Sequence, residues 1–454
     1  MKFSPDALWA NLQPHLPQQH VELCVAFSGG LDSTALLVAL NDRRCRFADL
    51  RLRAVHIDHQ LQSASAQWAQ HCFELARTLD IECIVRRVTI DTRAQQGIEA
   101  AARTARYQAI SEVLNPGEIL VTAHHADDQL ETMLLALARG AGLPGLSAMD
   151  ACQPFARGFH VRPMLAFTRE EIEAWARDRS LTWLTDPSNA NVRFSRNVLR
   201  AEVTPGLQRR WPSIARTASR TANHLAEAAS LLDDLAVMDL REAQAGQCLR
   251  VACLASMSSA RRRNVLRYWL RERGARAPST RKLLALEHDM LNAADDRIPR
   301  VAWDDFEVRR YRGLLYAGPA SGAFDRANQF EWEWGNPLEL AHGLGRLRVK
   351  PSLTRGLDES RLSARLRVEF RRGGERLQPS GRAHHRELKK LLQEANVLPW
   401  WRRHVPLIWS GHALVAVGDL WMADEFTTQT PGRAIEIVWE ERPPIISDEH
   451  SSRT

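Results

Sequence analysis

The chain has 454 residues, 44% of them apolar and 25% charged, a balance expected of a multidomain globular protein. No apolar run approaches the roughly 18 residues needed to cross a bilayer, and the opening MKFSPDALWANLQPHLPQQH lacks an apolar signal core, so a cytoplasmic location is expected. A net charge of +7 points to a polyanionic partner, and seven scattered cysteines with no CxxC argue against a disulfide framework or a zinc ribbon.

The first 130 residues alternate strand and helix patterns. VELCVAF (21–27) reads as a buried strand and the STALLVALND that follows Asp32 as a helix; RLRAVHI (51–57) is strand-like and 63–79 helical. IECIVRRVTI (81–90), a helix over 97–114, a strand EILVTAH (118–124) and a helix over 127–139 continue the series. This order predicts an α/β fold with a doubly wound, mostly parallel sheet. A helix is expected over 168–179 and a polar turn over 186–192. Residues 213–245 and 258–293 are helical in pattern, and 300–350 hold short strand-like runs. Beyond 360 the chain becomes strongly basic and ends in β-like pieces, ALVAV (413–417) and AIEIVWE (434–440). The expected division is a catalytic α/β domain over 1–212, a helical middle domain over 213–320 and a small α+β domain over 355–442.

Four clusters carry chemistry. Ser28-Gly29-Gly30-Leu31-Asp32-Ser33 stands where a strand meets a helix. Paired glycines let the backbone approach a ligand, and the helix start offers N–H donors to an anion. No lysine lies between Lys2 and Lys282, so this loop is not a Walker A loop. His56-Ile57-Asp58-His59 ends the next strand. Glu99, Arg103, Arg106 and Tyr107 share a helix face; a solvated ion-pair stripe would look the same. His124, Asp127, Asp128 and Glu131 fall at i, i+3, i+4 and i+7. Such a set can hold Mg²⁺, accept a proton or bind an amine. Three of the four clusters sit at carboxyl ends of predicted parallel strands, where open α/β sheets bind ligands.

The basic residues are concentrated. Residues 361–403 carry 12 Arg or Lys against 4 Asp or Glu, and 261–282 carry nine against one. Polyanion binding and a merely solvated basic face both fit such runs.

The string SGGLDS…HIDH…EAAARTARY…TAHHADDQLET resembles the PP-loop ATP-pyrophosphatase superfamily and, within it, the tRNA(Ile)-lysidine synthetase family. Arg162-Pro163-Met164-Leu165, Asp186-Pro187-Ser188-Asn189, Arg371-Arg372-Gly373-Gly374-Glu375 and Pro399-Trp400-Trp401-Arg402-Arg403 extend the likeness. One departure is His59-Gln60-Leu61-Gln62, where the family often continues with Gly-Leu-Arg. The resemblance implies a ligase of tRNA modification. It would join L-lysine to carbon 2 of the wobble cytidine of isoleucine tRNA with a CAU anticodon. ATP adenylates the cytidine, and the amine then attacks, giving lysidine, AMP and pyrophosphate.

By the same resemblance Ser28, Gly29, Gly30, Leu31, Asp32 and Ser33 would bind ATP. Asp32, Arg103, His124 and Asp127 would be catalytic, and Asp128 and Glu131 would hold lysine. Asp32 and Asp127 would hold Mg²⁺. Arg193, Arg196, Arg200, Arg371, Arg372, Lys389, Lys390, Arg402 and Arg403 would contact tRNA, with Trp400 or Trp401 available for stacking on bases and the other for the core. Cofactors are then ATP and Mg²⁺, and partners tRNA, L-lysine and a possible second copy as a homodimer, with no membrane. A sulfur-inserting relative would need a CxxC, and an amidotransferase its glutaminase domain; the sequence has neither. A binding-only protein would not need the acidic set of Asp32, Asp127, Asp128 and Glu131.

Overall fold

The computed structural model describes residues 2–18, 21–44, 50–60, 64–89, 98–185, 195–294, 297–320, 329–341, 343–430 and 432–446. These divide into two compact units, 1–232 and 233–454.

The first unit is built on a six-stranded sheet in the order β3-β2-β1-β4-β6-β5. Its strands are β1 (Val21–Ala26), β2 (Leu50–Asp58), β3 (Glu82–Arg87), β4 (Ile119–Val121), β5 (Cys152–Phe155) and β6 (Gly158–Val161). All pairings are parallel except β5 with β6. The helices are α1 (Pro5–Leu12), α2 (Leu31–Arg44), α3 (Ser65–Thr78), α4 (Ile98–Val113), α5 (Ala126–Ala138), α6 (Leu143–Leu146) and α7 (Arg169–Asp178). Because β1 is covered on both faces, its centre is an unbroken apolar run, Leu23 to Val25, all buried. Helix α2 follows it inward, with Leu31 and every residue from Ser33 to Leu40 buried. Phe3, Leu8, Leu12, Phe27, Leu36, Leu37, Val121 and Phe167 are among the residues of that core.

The chain leaves β1 for β2 on one side and reaches β4 on the other, so β1 and β4 are neighbours at the point where strand order reverses. Open α/β sheets bind ligands in the crevice outside such a pair. Both loops that matter here, 27–30 and 122–125, leave the carboxyl ends of these two strands. Helix α7 starts on a capping box: Thr168 N–H donates to Glu171 Oε2 at 3.0 Å, and Glu171 N–H to Thr168 Oγ1 at 3.4 Å. Further on come α8 (Ser195–Val198), a π-helical stretch over Leu199–Val203, α9 (Thr204–Arg210) and α10 (Ile214–Ala243).

The second unit joins helices to antiparallel sheets. Helices Ser259–Glu272 and Thr280–Asn292 pack with a five-stranded sheet around Trp269, Leu283, Leu286 and Val308. The predicted helix over 258–293 is thus two helices, separated around Gly274, whose φ of +73° ends the first. Two more five-stranded sheets and the helix Leu388–Glu394 share a separate core containing Phe370, Leu391, Ile408, Val415 and Trp439.

Candidate active site

The loop after β1 is shaped by its own hydroxyls. Ser33 Oγ donates to Gly30 O (3.1 Å) and accepts from Ser28 N–H (3.2 Å), while the two serine hydroxyls lie 3.0 Å apart. Gly29 has φ +77°, and its carbonyl accepts from Leu184 N–H at 2.8 Å. Only glycine adopts that conformation cheaply, and the turn leaves Gly30 and the start of α2 facing the crevice. Asp32, in the first turn of α2, keeps Oδ1 buried with no hydrogen-bond partner among the described residues.

Ser28, Gly30, Asp32 and Ser33 line a cavity of about 200 Å³ with Arg103, Tyr107, Thr122 and His124. Arg103 sits with its guanidinium 5.1 Å from the Tyr107 ring centre. The first and fourth sequence clusters therefore meet, with Arg103, Arg106 and Tyr107 of the third on the same wall. The second does not join them: His56 Nδ1 is 2.9 Å from Phe27 O and Asp58 accepts from Gln60 N–H at 2.9 Å, so both serve the strand end. His59 reaches the site only indirectly, through Arg106 Nε, which donates to its Nε2 at 3.2 Å.

His124 and His125 are neighbours with opposite electrostatics. Burial, reinforced by Arg162, Arg103 and Arg196, pushes His124 down to about 4. Burial would also lower His125, but Asp128, Asp127 and Asp32 outweigh it and raise the ring to about 9. Its nitrogens lie 3.5 Å from Asp127 and Asp128 and 3.8 Å from Asp32. Burial alone would likewise raise Asp127 and Asp128, yet the His125 charge leaves both below the ordinary carboxylate range. Asp32 goes the other way, because its burial exceeds the pull of His125 and Arg169.

A second cavity, of about 800 Å³, opens beside this cluster and is lined by His125, Asp127, Glu131, Arg200 and Gln208 among others. Arg200 bridges Asp128 Oδ1 (2.8 Å) and Glu131 Oε1, and Arg196 lies 3.1 Å from Glu131 Oε2 while donating to Thr132 Oγ1 at 2.6 Å. Two arginines expected at tRNA thus rest on the two acids expected to hold lysine. The reason is physical: Asp128 and Glu131 are buried, and buried carboxylates require cationic partners. Arg193 lies outside the described residues, as does the 186–192 turn.

The residues also differ in their fitness for Mg²⁺. Asp32 has a carboxylate oxygen to spare, and Mg²⁺ is commonly held by one or two carboxylates together with phosphate oxygens. Asp127 has both oxygens engaged, Oδ1 by Gln208 Nε2 and Oδ2 by Arg169 N–H, each at 2.8 Å. Among the described residues, no group of three His, Cys, Asp or Glu is arranged to hold a metal by itself. Gln208 and the Arg169 amide are contacts that sequence reasoning missed, since neither lies in or near the motif they support.

In the second unit Trp400 is buried against Tyr311, Tyr316 and Arg309, which makes it a core residue, whereas Trp401 is half-buried beside His404. Arg371 pairs with Glu375, and Arg402 donates to Val397 O at 2.8 Å. Arg372, Lys389, Lys390 and Arg403 are exposed.

Comparison with known proteins sharpens this picture. Residues 7–207 match the family model described as a PP-loop domain, 249–316 the TilS substrate binding domain and 366–439 the TilS substrate C-terminal domain. The tRNA(Ile)-lysidine synthase of Methylococcus capsulatus is 39% identical over 444 residues, 97% of this chain and 100% of the relative. The chain belongs to the tRNA(Ile)-lysidine synthase family. Proteins of the same name from Alkalilimnicola ehrlichii (42% identical, 93% of this chain and 94% of the relative) and Coxiella burnetii (41%, 87% and 88%) agree with it over most of their length. This membership makes the chain an enzyme, an ATP-using ligase of tRNA modification. No helix among the described residues is long and apolar enough to cross a membrane.

Proposed function

We propose that the enzyme joins L-lysine to carbon 2 of the wobble cytidine of an isoleucine tRNA with a CAU anticodon. The observation that carries this reading is a pair of cavities to which the adjacent His124 and His125 contribute one ring each. One is lined by the Ser28–Ser33 loop and Arg103, the other by carboxylates that already hold a cation.

The loop's backbone N–H groups and the hydroxyls of Ser28 and Ser33 receive ATP's phosphates, and Leu31 packs the helix start beneath them. Asp32 would hold Mg²⁺, which neutralises phosphate charge when bound; Asp127 would join it only on giving up Gln208. The cytidine carbonyl oxygen attacks the α-phosphorus, a C–O–P linkage forms and pyrophosphate leaves. Arg103 and His124 face the phosphate from the same cavity, where donors aimed at developing charge are most effective. Lysine then attacks carbon 2 through one uncharged amine and expels AMP, and the surplus amine proton passes to a base or to water. Asp128 and Glu131 hold the other amine as an ammonium, in the place now taken by the Arg200 guanidinium.

Arg193, Arg196 and Arg200, and the exposed cations of the carboxyl-terminal region (Arg372, Lys389, Lys390 and Arg403, with Arg371 and Arg402 beside them), contact the tRNA backbone. A homodimer and a cytoplasmic location complete the reading. The test is an assay with labelled ATP, Mg²⁺, lysine and an unmodified isoleucine tRNA transcript. AMP and pyrophosphate should form one for one with lysine incorporated, and a transcript with uridine at the wobble position should give neither. Incorporation into the uridine transcript would refute the assignment of the target base.

A further inference from the structure

Behind His124 lies a run of polar groups to which the proposed reaction gives no role. Arg162 is buried, 4% exposed, yet none of its hydrogen bonds among the described residues goes to a carboxylate. They go to Asp150 O (2.7 Å) and, through Nη2, to His160 Nδ1 (3.1 Å). His160, on β6 and fully buried, has its other nitrogen 2.8 Å from Thr122 Oγ1. Thr122 Oγ1 is in turn 2.7 Å from His124 Nδ1.

The direction of the first links is forced, and the last follows from where the Thr122 proton can go. A guanidinium has no acceptor, so Arg162 donates and His160 Nδ1 carries no proton. The single imidazole proton of His160 is then on Nε2 and is given to Thr122 Oγ1. The Thr122 hydroxyl keeps one proton to give, and of its two hydrogen-bond partners among the described residues only His124 Nδ1 can accept it. His124 Nδ1 is left unprotonated, and Nε2–H remains as the donor of a ring that lines the cavity with Ser28, Asp32 and Ser33. Rings hold the geometry: Tyr107 and Phe155 pack on His160 with centroids at 5.7 and 6.1 Å. The low values to which burial drives His124, about 4, and His160, about 3, keep both rings neutral, as the chain requires.

We infer that Arg162, His160 and Thr122 are positioning residues that lock His124 in the Nε2–H tautomer, so that it offers a hydrogen-bond donor to a phosphate oxygen in the cavity. The donor's role rests on the proposed ATP binding; the tautomer does not. The hydrogen bond at one imidazole nitrogen generally decides the protonation of the other. A buried arginine costs desolvation that an apolar residue would avoid, and its output here is one fixed proton.

The test uses the full-length enzyme labelled with ¹⁵N-histidine. Two-bond ¹H–¹⁵N correlation spectra report the tautomer, with the His124 signals assigned by their loss in His124→Asn. The wild type should show His124 as neutral Nε2–H, and Thr122→Val should show a mixture of tautomers. Thr122→Val should also lower kcat by about 10–100-fold, the scale of losing an orienting partner, with little change in KM for ATP. Thr122→Ser, which keeps the hydroxyl, should recover most of both. His124 found as Nδ1–H, or as a cation at neutral pH, would overturn the inference, as would wild-type kcat in Thr122→Val. His124→Asn turning over normally would remove His124 from the phosphate and refute the functional half, while the spectrum alone decides the tautomer.

Discussion

Replacing Gly29 with alanine should damage the fold of the loop, whereas the same change at Gly30 should not. Gly29 is buried, with φ at +77°, where a β-carbon costs about 1–2 kcal/mol. A Cβ there would stand 2.8 Å from Cys72 Sγ and 3.0 Å from Leu184 Cδ1. Cys72 is wholly buried on α3, and Leu184 is tied to the loop by its bond to Gly29 O, so neither yields freely. Forcing a methyl into such packing adds about 1–3 kcal/mol. Gly29→Ala should therefore lose about 2–5 kcal/mol in all. At Gly30 the nearest atoms would be Ser28 Oγ at 3.5 Å and Leu184 O at 3.9 Å, an ordinary contact, and φ is unremarkable. Gly30→Ala should keep its stability but bind ATP more weakly, because the methyl enters the space that phosphate must approach. Urea unfolding followed by tryptophan fluorescence measures the first effect and titration calorimetry with ATP the second. Equal stability for Gly29→Ala and wild type would refute the steric argument, and unchanged ATP affinity in Gly30→Ala would refute the placement of phosphate on this loop.

Other outcomes follow from the same geometry. Asp32→Asn should abolish turnover and leave tRNA affinity unchanged in a filter-binding assay, since Asp32 faces the nucleotide cavity and lies in no basic patch. Glu118→Ala should cost about 3–5 kcal/mol of stability on denaturant unfolding, because it strips a buried carboxylate from Arg53 and from the Asn115 N–H. Replacing both Lys389 and Lys390 with alanine should reduce the slope of log affinity for tRNA against log salt by about 1–2, with kcat at saturating tRNA preserved; an unchanged slope would take these lysines off the tRNA.

Much of this architecture is legible in the amino-acid sequence. The centres of β1 and β4 are short apolar runs bounded by turns, and the helices predicted over 63–79, 97–114 and 168–179 lie within two residues of α3, α4 and α7. The hairpin of β5 and β6 is not legible. Its strands are four residues each, too short for an alternation to register, and one contains Pro154. The same brevity conceals His160, which stands on β6 between the crevice and Arg162. At the site, the motif residues can be named because loop and helix spacings are local. Their partners cannot, because they come from far along the chain. Arg200 reaches Asp128 across 72 positions and Gln208 reaches Asp127 across 81, and nothing in periodicity reports such a meeting. The two histidines illustrate the same limit. Adjacent in sequence and alike in type, they are driven in opposite directions by what surrounds them, His124 by burial among arginines and His125 by three aspartates.

The central claim is that lysine ends on the wobble cytidine, and mass analysis of that nucleoside addresses it most directly. Isoleucine tRNA transcript incubated with enzyme, ATP, Mg²⁺ and isotopically labelled lysine would be digested to nucleosides and separated. The account predicts a cytidine heavier by lysine less water, bearing the label and confined to the wobble position, and absent with Asp32→Asn. Unmodified cytidine alongside released AMP, or label at another nucleotide, would contradict it.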